Sequence, residues 1–240
     1  GKNGLANQGI ERIRQAYGFD WSATVAVADI RAVQGQSDEA LALYEQAQAE
    51  RPTWPISLEM YRLRRATDRP DPTQSLRAWV QREPEHLPGL MAMAQSSQRD
   101  GASDAAIDFY ERARTIDPDN ILAANNVAWL YLERDGQGDR ARALDAARVA
   151  YNGAPGNTDI ADTYGWMLHN NNERDIARGV FQSAMAVTSA EDSPDMAYHF
   201  ATTLFADGKR VQAREILDEA LRTTAPFPSR ADAQALRNQL

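Results

Sequence analysis

The chain has 240 residues, 43% of them hydrophobic, and its 26 basic and 34 acidic side chains give a formal net charge of −8. This length suffices for a sizeable core in one or two domains, whereas the acidic balance argues against nucleic acid and anionic membrane surfaces as partners. The absence of cysteine excludes disulfides, zinc–cysteine sites and thiol catalysis.

Alanine-rich stretches with apolar residues three and four positions apart recur between short Gly, Pro, Asp and Asn segments, a pattern typical of helices. No alternating strand-type run occurs, and no apolar run approaches the roughly 20 residues of a membrane helix. The sequence therefore predicts an all-α protein of antiparallel helix pairs without membrane insertion. In chain order, the predicted helices are 4–17, 21–34, 37–50, 55–67, 73–82, 87–99, 103–115, 121–133, 140–152, 158–170, 174–187, 194–206, 210–222 and 229–239.

The helix pairs repeat along the chain. A set of small, bulky and Pro residues in the first part recurs 66 residues later, which is two periods. The matched sets are Gly35, Ala40, Tyr44, Ala47, Pro52 and Gly101, Ala106, Tyr110, Ala113, Pro118. The later sets, spaced by 34 and 36 residues, are Ala143, Ala147, Ala150, then Ala177, Phe181, Ala184, then Ala213, Leu217, Ala220.

These offsets resemble the tetratricopeptide repeat (TPR) family, whose unit is about 34 residues of helix, turn and helix. The resemblance implies a right-handed solenoid of about six antiparallel helix pairs. Small residues are expected where paired helices approach closely, at Ala28, Ala94, Ala128 and Gly165, with glycines in the turns at Gly35, Gly101 and Gly208. Bulky residues are expected to fill the space between pairs, at Tyr44, Tyr110, Phe181 and Leu217.

The expected domain organisation is a single solenoid over residues 1–240. Its parts are the end of a preceding repeat at 1–20, repeats at 21–54, 55–86, 87–120, 121–157, 158–193 and 194–228, and a closing helix at 229–240. The unit 55–86 is degenerate, because Pro72, Leu76 and Trp79 stand where Ala, a bulky residue and Ala belong. The insertions "RDGQGD" and "VTSAEDSP" are predicted to be surface loops.

Two tryptophans, Trp129 and Trp166, occupy the same position in the first helices of adjacent repeats. In the TPR fold the first helices line the concave face, so the resemblance implies a ligand groove there. The candidate groove residues are Gln95, Arg99, Asn125, Asn126, Trp129, Asp162, Trp166, His169 and Tyr198. Two alternatives stay open: each Trp packs on a neighbouring helix rather than facing a ligand, and the Asn amides serve local hydrogen bonds rather than a peptide backbone.

A search for catalytic chemistry finds no phosphate-binding loop, dinucleotide fingerprint, zinc-protease motif or nucleophile elbow. His169 and His199 lie close to the expected groove but lack a third ligand at metal spacing, so solvated or core histidines are the expectation. The sequence therefore predicts a non-enzymatic protein with no catalytic residue, no metal site and no cofactor.

A finer resemblance concerns the segments "LAANNVAWLYLE", "ALDAARVAYNGAPGN", "IADTYGWML" and "FPSRADAQALRNQL". Their order is similar to the C-terminal part of bacterial exosortase- or PEP-CTERM-associated TPR lipoproteins of exopolysaccharide systems. This resemblance implies an exported scaffold in the periplasm or at the outer membrane, anchored through an upstream segment. A cytoplasmic location stays open.

The function predicted from these observations is a scaffold that binds a protein or peptide partner along its concave face. A partner segment that is basic or neutral is favoured by the acidic composition. Two alternatives remain: a polysaccharide-binding module that stacks sugar rings on the same aromatic residues, and an architectural spacer whose groove binds nothing.

Overall fold

The computed structural model describes residues 2–18 and 20–240, and these residues form fourteen α-helices and no strand. The helices are α1 Lys2–Tyr17, α2 Trp21–Val33, α3 Ser37–Glu50, α4 Trp54–Ala66, α5 Gln74–Arg82, α6 Leu87–Arg99, α7 Ser103–Ile116, α8 Ile121–Arg134, α9 Asp139–Gly153, α10 Thr158–Asn170, α11 Arg174–Met185, α12 Pro194–Ala206, α13 Arg210–Ala220 and α14 Arg230–Gln239. Each predicted helix is present with ends shifted by at most two residues, so the all-α prediction is confirmed.

The chain divides into two compact units, Gly1–Ser96 and Ser97–Leu240. The first holds α1 to α5 and most of α6, and the second holds α7 to α14. The division into repeats stays a prediction, and residues 1 and 19 of the expected preceding repeat lie outside the described residues.

Consecutive helices pack as pairs within each unit: α2 with α3 in the first, and α8 with α9, α10 with α11 and α12 with α13 in the second. Small residues stand at the contacts, as the repeat pattern predicts. The buried set, at most 1% exposed, includes Ala28, Ala40, Ala47, Ala106, Ala113, Ala128, Ala143, Ala147, Ala150, Ala177, Ala213 and Ala220. The bulky residues predicted to fill the space between helix pairs are also buried, as expected: Tyr44, Tyr110, Phe181 and Leu217.

The α2–α3, α6–α7 and α10–α11 turns share one backbone geometry. In the α2–α3 turn, Gln36 N–H donates to the Arg31 carbonyl at 2.9 Å and Gly35 N–H donates to Ala32 at 3.0 Å. This pair of bonds satisfies helix-end carbonyls and requires a left-handed residue, which is Gly35 with φ +77°. The same arrangement occurs at Gly101, and at Asn172 in the α10–α11 turn.

The predicted surface loop "RDGQGD" is organised by a buried carboxylate. Asp139 is 1% exposed, and its two oxygens accept from Arg134 Nε at 2.7 Å and Nη2 at 2.9 Å. The backbone N–H of Gly136 donates to the same side chain at 3.0 Å. The Arg134 hydrogen bonds hold the pKa of the Asp139 carboxyl below its usual range. The inserted turn is exposed along its length but is tied to α9 by this one residue.

The second predicted surface loop, "VTSAEDSP", departs from expectation at one residue. Ala190 is 1% exposed and belongs to a small core cluster with Ala197 and Ala220. The methyl group of Ala190 is small enough to be buried within the connection between α11 and α12. This loop is therefore anchored to the core, whereas its neighbours Glu191 and Asp192 are exposed.

The degenerate unit contains the short helix α5, nine residues from Gln74 to Arg82. Leu76 is fully buried, as expected of the bulky position. Trp79 is too large for the position where Ala belongs and stays half-buried. Its ring lies 6.3 Å from Trp54 and 5.4 Å from His86, centroid to centroid. An aromatic cluster thus takes the place of close helix packing in this part of the first unit.

The last helix, α14, covers the end of the second unit. Ala233 and Leu236 of α14 join Phe227 in the same core cluster as Phe200 and Leu217. This placement matches the predicted closing helix, which in a repeat array shields the last apolar face from water.

Candidate functional site

Three first helices of the predicted repeats, α8, α10 and α12, lie side by side in the second unit, and α10 contacts both others. Asn120 caps α8 by accepting from Ala123 N–H at 3.0 Å, and Asn157 caps α10 by accepting from Ile160 N–H at 3.1 Å. Side chains three and four positions apart then share one side of each helix. The first-helix face is the side that carries Asn125, Trp129, Glu133, Asp159, Asp162 and Trp166.

An aromatic ladder crosses this face; it consists of Trp129, His199, Trp166 and His169. Trp166 stacks on His199 with ring centroids 4.3 Å apart and on His169 with centroids 4.8 Å apart. His199 is held at Asp162, one turn before Trp166, whereas His169 follows one turn after Trp166. Trp129 lies 5.9 Å from His199 and ends the ladder.

Hydrogen bonds between neighbouring helices hold the first two rings of the ladder. Trp129 Nε1–H donates to Thr163 Oγ1 at 2.9 Å, which joins α8 to α10. His199 Nδ1 lies 2.7 Å from Asp162 Oδ1, which joins α12 to α10. Because the Asp162 carboxylate can only accept, the imidazole nitrogen carries the shared proton.

Thr203 couples the two imidazoles of the ladder. Its hydroxyl donates to the His199 carbonyl at 2.9 Å and therefore accepts from His169 Nδ1–H at 3.0 Å. Burial lowers the pKa of His169, and the nearby Arg174 and His199 lower it further. The neutral imidazole is thus the favoured form of His169 at neutral pH.

The structure leaves both predicted tryptophans half-buried. Trp166 stacks on two imidazoles, those of His169 and His199. The indole N–H of Trp129 is used by Thr163. The two tryptophans therefore pack within the row of first helices, and their contact with a ligand stays a prediction.

The two predicted asparagines have different environments. Asn126 Nδ2–H donates to the Tyr110 hydroxyl at 2.9 Å, and that hydroxyl donates to Gln98 Oε1 at 2.9 Å. The Asn126 amide thus ties α8 to α7. Asn125 Oδ1 is buried and has no hydrogen-bond partner among the described residues. Asn125 is the asparagine that could accept a hydrogen bond from a ligand.

The remaining candidates are distributed over both units. Gln95 is half-buried in the first unit, and Arg99 is exposed at the end of α6. Tyr198 is half-buried in α12, with its ring 5.6 Å from that of His199. Of the nine predicted residues, the second unit brings together Trp129, Asp162, Trp166, His169 and Tyr198.

The sequence analysis missed three residues that build the ladder: His199 as a stacking partner, and Thr163 and Thr203 as hydrogen-bond partners. Thr163 and Thr203 are at most 2% exposed. A usable signal was present, since a buried threonine on the apolar side of a helix needs a partner for its hydroxyl. Which partner it finds depends on how the helices pack, and spacing along the chain does not give that.

The titratable groups of the face can be compared with those of metal and catalytic sites. Over the described residues, no group of three His, Asp or Glu side chains is arranged to hold a metal ion. The Asp162–His199 pair resembles a catalytic base with its orienting carboxylate. However, the hydroxyl nearest to these imidazoles, that of Thr203, is fully buried and donates to a backbone carbonyl.

Among the described helices, none combines the length and apolar character needed to cross a membrane.

Solved structures of similar shape are TPR proteins. The C-terminal part of a TPR repeat-containing protein from Cytophaga hutchinsonii superposes with a TM-score of 0.69 at 13% identity, covering 97% of this chain and 95% of its own. The fold is the tetratricopeptide-repeat fold. The TPR protein YrrB, described as having an unusual peptide-binding site, gives a TM-score of 0.55 at 15% identity, covering 95% of this chain and 97% of its own.

A third similar TPR-like structure is the MamA RS-1 ArsTM double mutant, with a TM-score of 0.61, 12% identity and coverage of 77% of this chain and 94% of its own. No protein-family model matches the sequence, and no curated protein matches it. At these identities the likeness shows the TPR fold, and the resemblance to exosortase-associated lipoproteins is carried by the sequence segments alone.

Proposed function

We propose that this chain is a non-enzymatic TPR scaffold whose second unit binds an extended segment or a helix of a partner protein along the first-helix face. The observation that carries the proposal is the aromatic ladder, which joins α8, α10 and α12 into one row before any ligand arrives. A preorganised surface binds with a smaller entropy cost. The peptide-binding site described for YrrB, a protein of the same fold, supports this kind of role.

The biological setting we propose is a bacterial envelope system for exopolysaccharide export or protein sorting, with this chain held in the periplasm or at the outer membrane. Support for this setting comes from the sequence resemblance to exosortase-associated TPR lipoproteins. Fractionation of the source cells followed by immunodetection tests it. Recovery of the protein with the cytosolic fraction would contradict the setting but leave the scaffold role standing.

Polysaccharide binding is the less favoured alternative. Sugar rings stack on the open face of an aromatic side chain, and Trp166 already stacks on both His169 and His199. Spacer function is the second alternative, and a face that selects no peptide in the experiment below would favour it.

The scaffold proposal is tested by selecting peptides from a displayed random library and measuring their affinities for two variants. Asn125→Arg places a long side chain on the first-helix face. Gly179→Arg places the same side chain on α11, where a Cβ meets nothing within 4 Å. We expect parent affinities of about micromolar, as for segments that order on binding, and roughly tenfold weaker binding for Asn125→Arg alone. Equal binding by the two variants, or no selected peptide, would contradict the proposal.

A further inference from the structure

We propose that the partner segment is cationic and that the first-helix face recognises its Lys or Arg side chains. The inference rests on the proposed function and names the chemistry of the partner. Its first support is the distribution of charge. Residues 97–240 contain 22 acidic and 15 basic side chains, so the second unit carries a formal charge of −7 out of the −8 of the chain.

Within the second unit the first helices carry a net negative charge, whereas the second helices are neutral, with nine acidic and nine basic residues. The first helices α8, α10 and α12 contain a single basic residue, Arg134, which is paired with Asp139 at 2.7 Å and with Asp104 at 3.0 Å. The same three helices contain four acidic residues: Glu133, Asp159, Asp162 and Asp195. The second helices α7, α9, α11 and α13 carry most of the arginines. The row of first helices therefore presents a negative potential to an approaching segment.

The hydrogen-bond donors of the ladder are used mainly inside the protein. The indole N–H of Trp129 donates a hydrogen bond to Thr163, and the Nδ1–H of His199 donates one to Asp162. His169 gives its Nδ1–H to Thr203. These three N–H groups are therefore satisfied inside the protein, whereas the indole N–H of Trp166, the fourth ring, has no acceptor among the described residues.

The Asn amides follow the same rule. Asn126 donates to the Tyr110 hydroxyl, and Asn170 Nδ2–H donates to the carbonyl of Trp166 at 2.8 Å. These two amides are therefore satisfied internally.

Three side chains on the face keep unsatisfied acceptors. Asn125 Oδ1 is buried without a partner in the described part of the chain. The exposed carboxylates of Asp159 and Glu133 form no ion pair or hydrogen bond with any described residue. Asn125 and Glu133 lie one turn before and one turn after Trp129, so these acceptors flank an indole ring.

This arrangement fits a partner rich in N–H donors. A guanidinium or ammonium group supplies several donors and a positive charge, and it is attracted to carboxylates and to an indole ring. An acidic segment would meet like-charge repulsion from the same carboxylates. The net charge of the first helices and the unpaired carboxylates thus favour the same class of partner.

The test uses three labelled synthetic peptides of one length that differ only in their charged positions, which are Arg, Gln or Glu. Binding to the full chain is measured by fluorescence anisotropy at low and at physiological salt. The face variant is Glu133→Gln/Asp159→Asn, whose two changes are exposed and leave the ladder intact. The control is Glu215→Gln/Glu219→Gln on α13, which removes the same charge from a second helix.

The expected result is tightest binding of the Arg peptide, weakened about fivefold by the face variant and little changed by the control, because each exposed charge contributes a fraction of a kcal/mol. Equal weakening in both double variants would mean attraction to net charge alone and would overturn the inference. Preference for the Gln or Glu peptide, with binding still lost in Asn125→Arg, would overturn the inference but leave the proposed function standing. If no peptide binds the parent, both fail.

Discussion

Gly165 is the position where the packing of the second unit can be tested most directly. A Cβ atom added there would lie 2.7, 2.8 and 3.0 Å from three ring carbons of Phe181. Phe181 is fully buried and stacks on Phe200 with centroids 5.6 Å apart, so its ring has little room to move. Gly165→Ala should therefore force α10 and α11 apart or distort the Phe181 side chain.

The magnitude follows from two opposing effects. Carbon atoms in protein interiors pack about 3.5–4.0 Å apart, so the new methyl overlaps the ring by close to 1 Å. Overpacking of this kind costs about 1–3 kcal/mol, whereas replacing Gly by Ala inside a helix stabilises by about 1 kcal/mol. The matched control is Gly179→Ala in α11, where a Cβ meets nothing within 4 Å. Gly179→Ala should show the helix gain alone, so the two variants should differ by about 1–3 kcal/mol.

The assay is chemical and thermal unfolding followed by far-UV circular dichroism. For a chain of this size each kcal/mol moves Tm by about 2–4 °C, so the two Ala variants should be clearly separated. In a Phe181→Leu background, Gly165→Ala should become less costly, because the smaller side chain can move away. If Gly165→Ala stabilises the protein as much as Gly179→Ala, or shows no coupling to Phe181, the close helix approach is wrong.

Three further outcomes are expected. The pKa of His169 is lowered in the folded state, so the unfolded chain binds more protons than the folded chain as pH falls through about 6.5, and the free energy of unfolding drops there. His169→Gln should therefore flatten the pH dependence of the unfolding midpoint between pH 7.5 and 5. Thr163→Val should leave the indole N–H of Trp129 without its acceptor, costing about 1–2 kcal/mol and shifting the tryptophan emission, whereas an unchanged spectrum would contradict the bond. Asp139→Ala should cost about 2–3 kcal/mol in urea unfolding, since Arg134 loses its bidentate partner, and a cost near zero would show that the loop closes without it.

The repeat pattern predicted the helices because each repeat uses the same small residues at the same contacts. Ala28, Ala94 and Ala128 are fully buried where the pattern expects paired helices to touch. Gly165 was expected at such a contact, and the Phe181 ring explains why no Cβ fits there. These contacts are set by residues close in sequence, so spacing alone identifies them.

The aromatic ladder could not be predicted in the same way. It depends on which side chains of α8, α10 and α12 meet across helices, and the ring pair of Trp166 and His199 joins residues 33 positions apart. The unit 55–86 shows the same limit, since the pattern marked Trp79 as irregular but did not show that Trp54 and His86 would surround it. In both cases rotamers and helix packing decide the contact, and single-residue periodicity carries no information on either.

The ladder also changes what a tryptophan variant can show about binding. Trp166 of α10 stacks on His199 of α12, so Trp166→Ala would loosen the contact between these helices in addition to removing any ligand contact. A loss of affinity in that variant would then reflect a less ordered face, with faster hydrogen exchange in α12 as its sign. Asn125→Arg blocks the face and leaves all four residues of the ladder in place. Weaker binding by Asn125→Arg with unchanged exchange therefore identifies a contact surface, and the comparison separates the preorganisation of the face from its recognition of a partner.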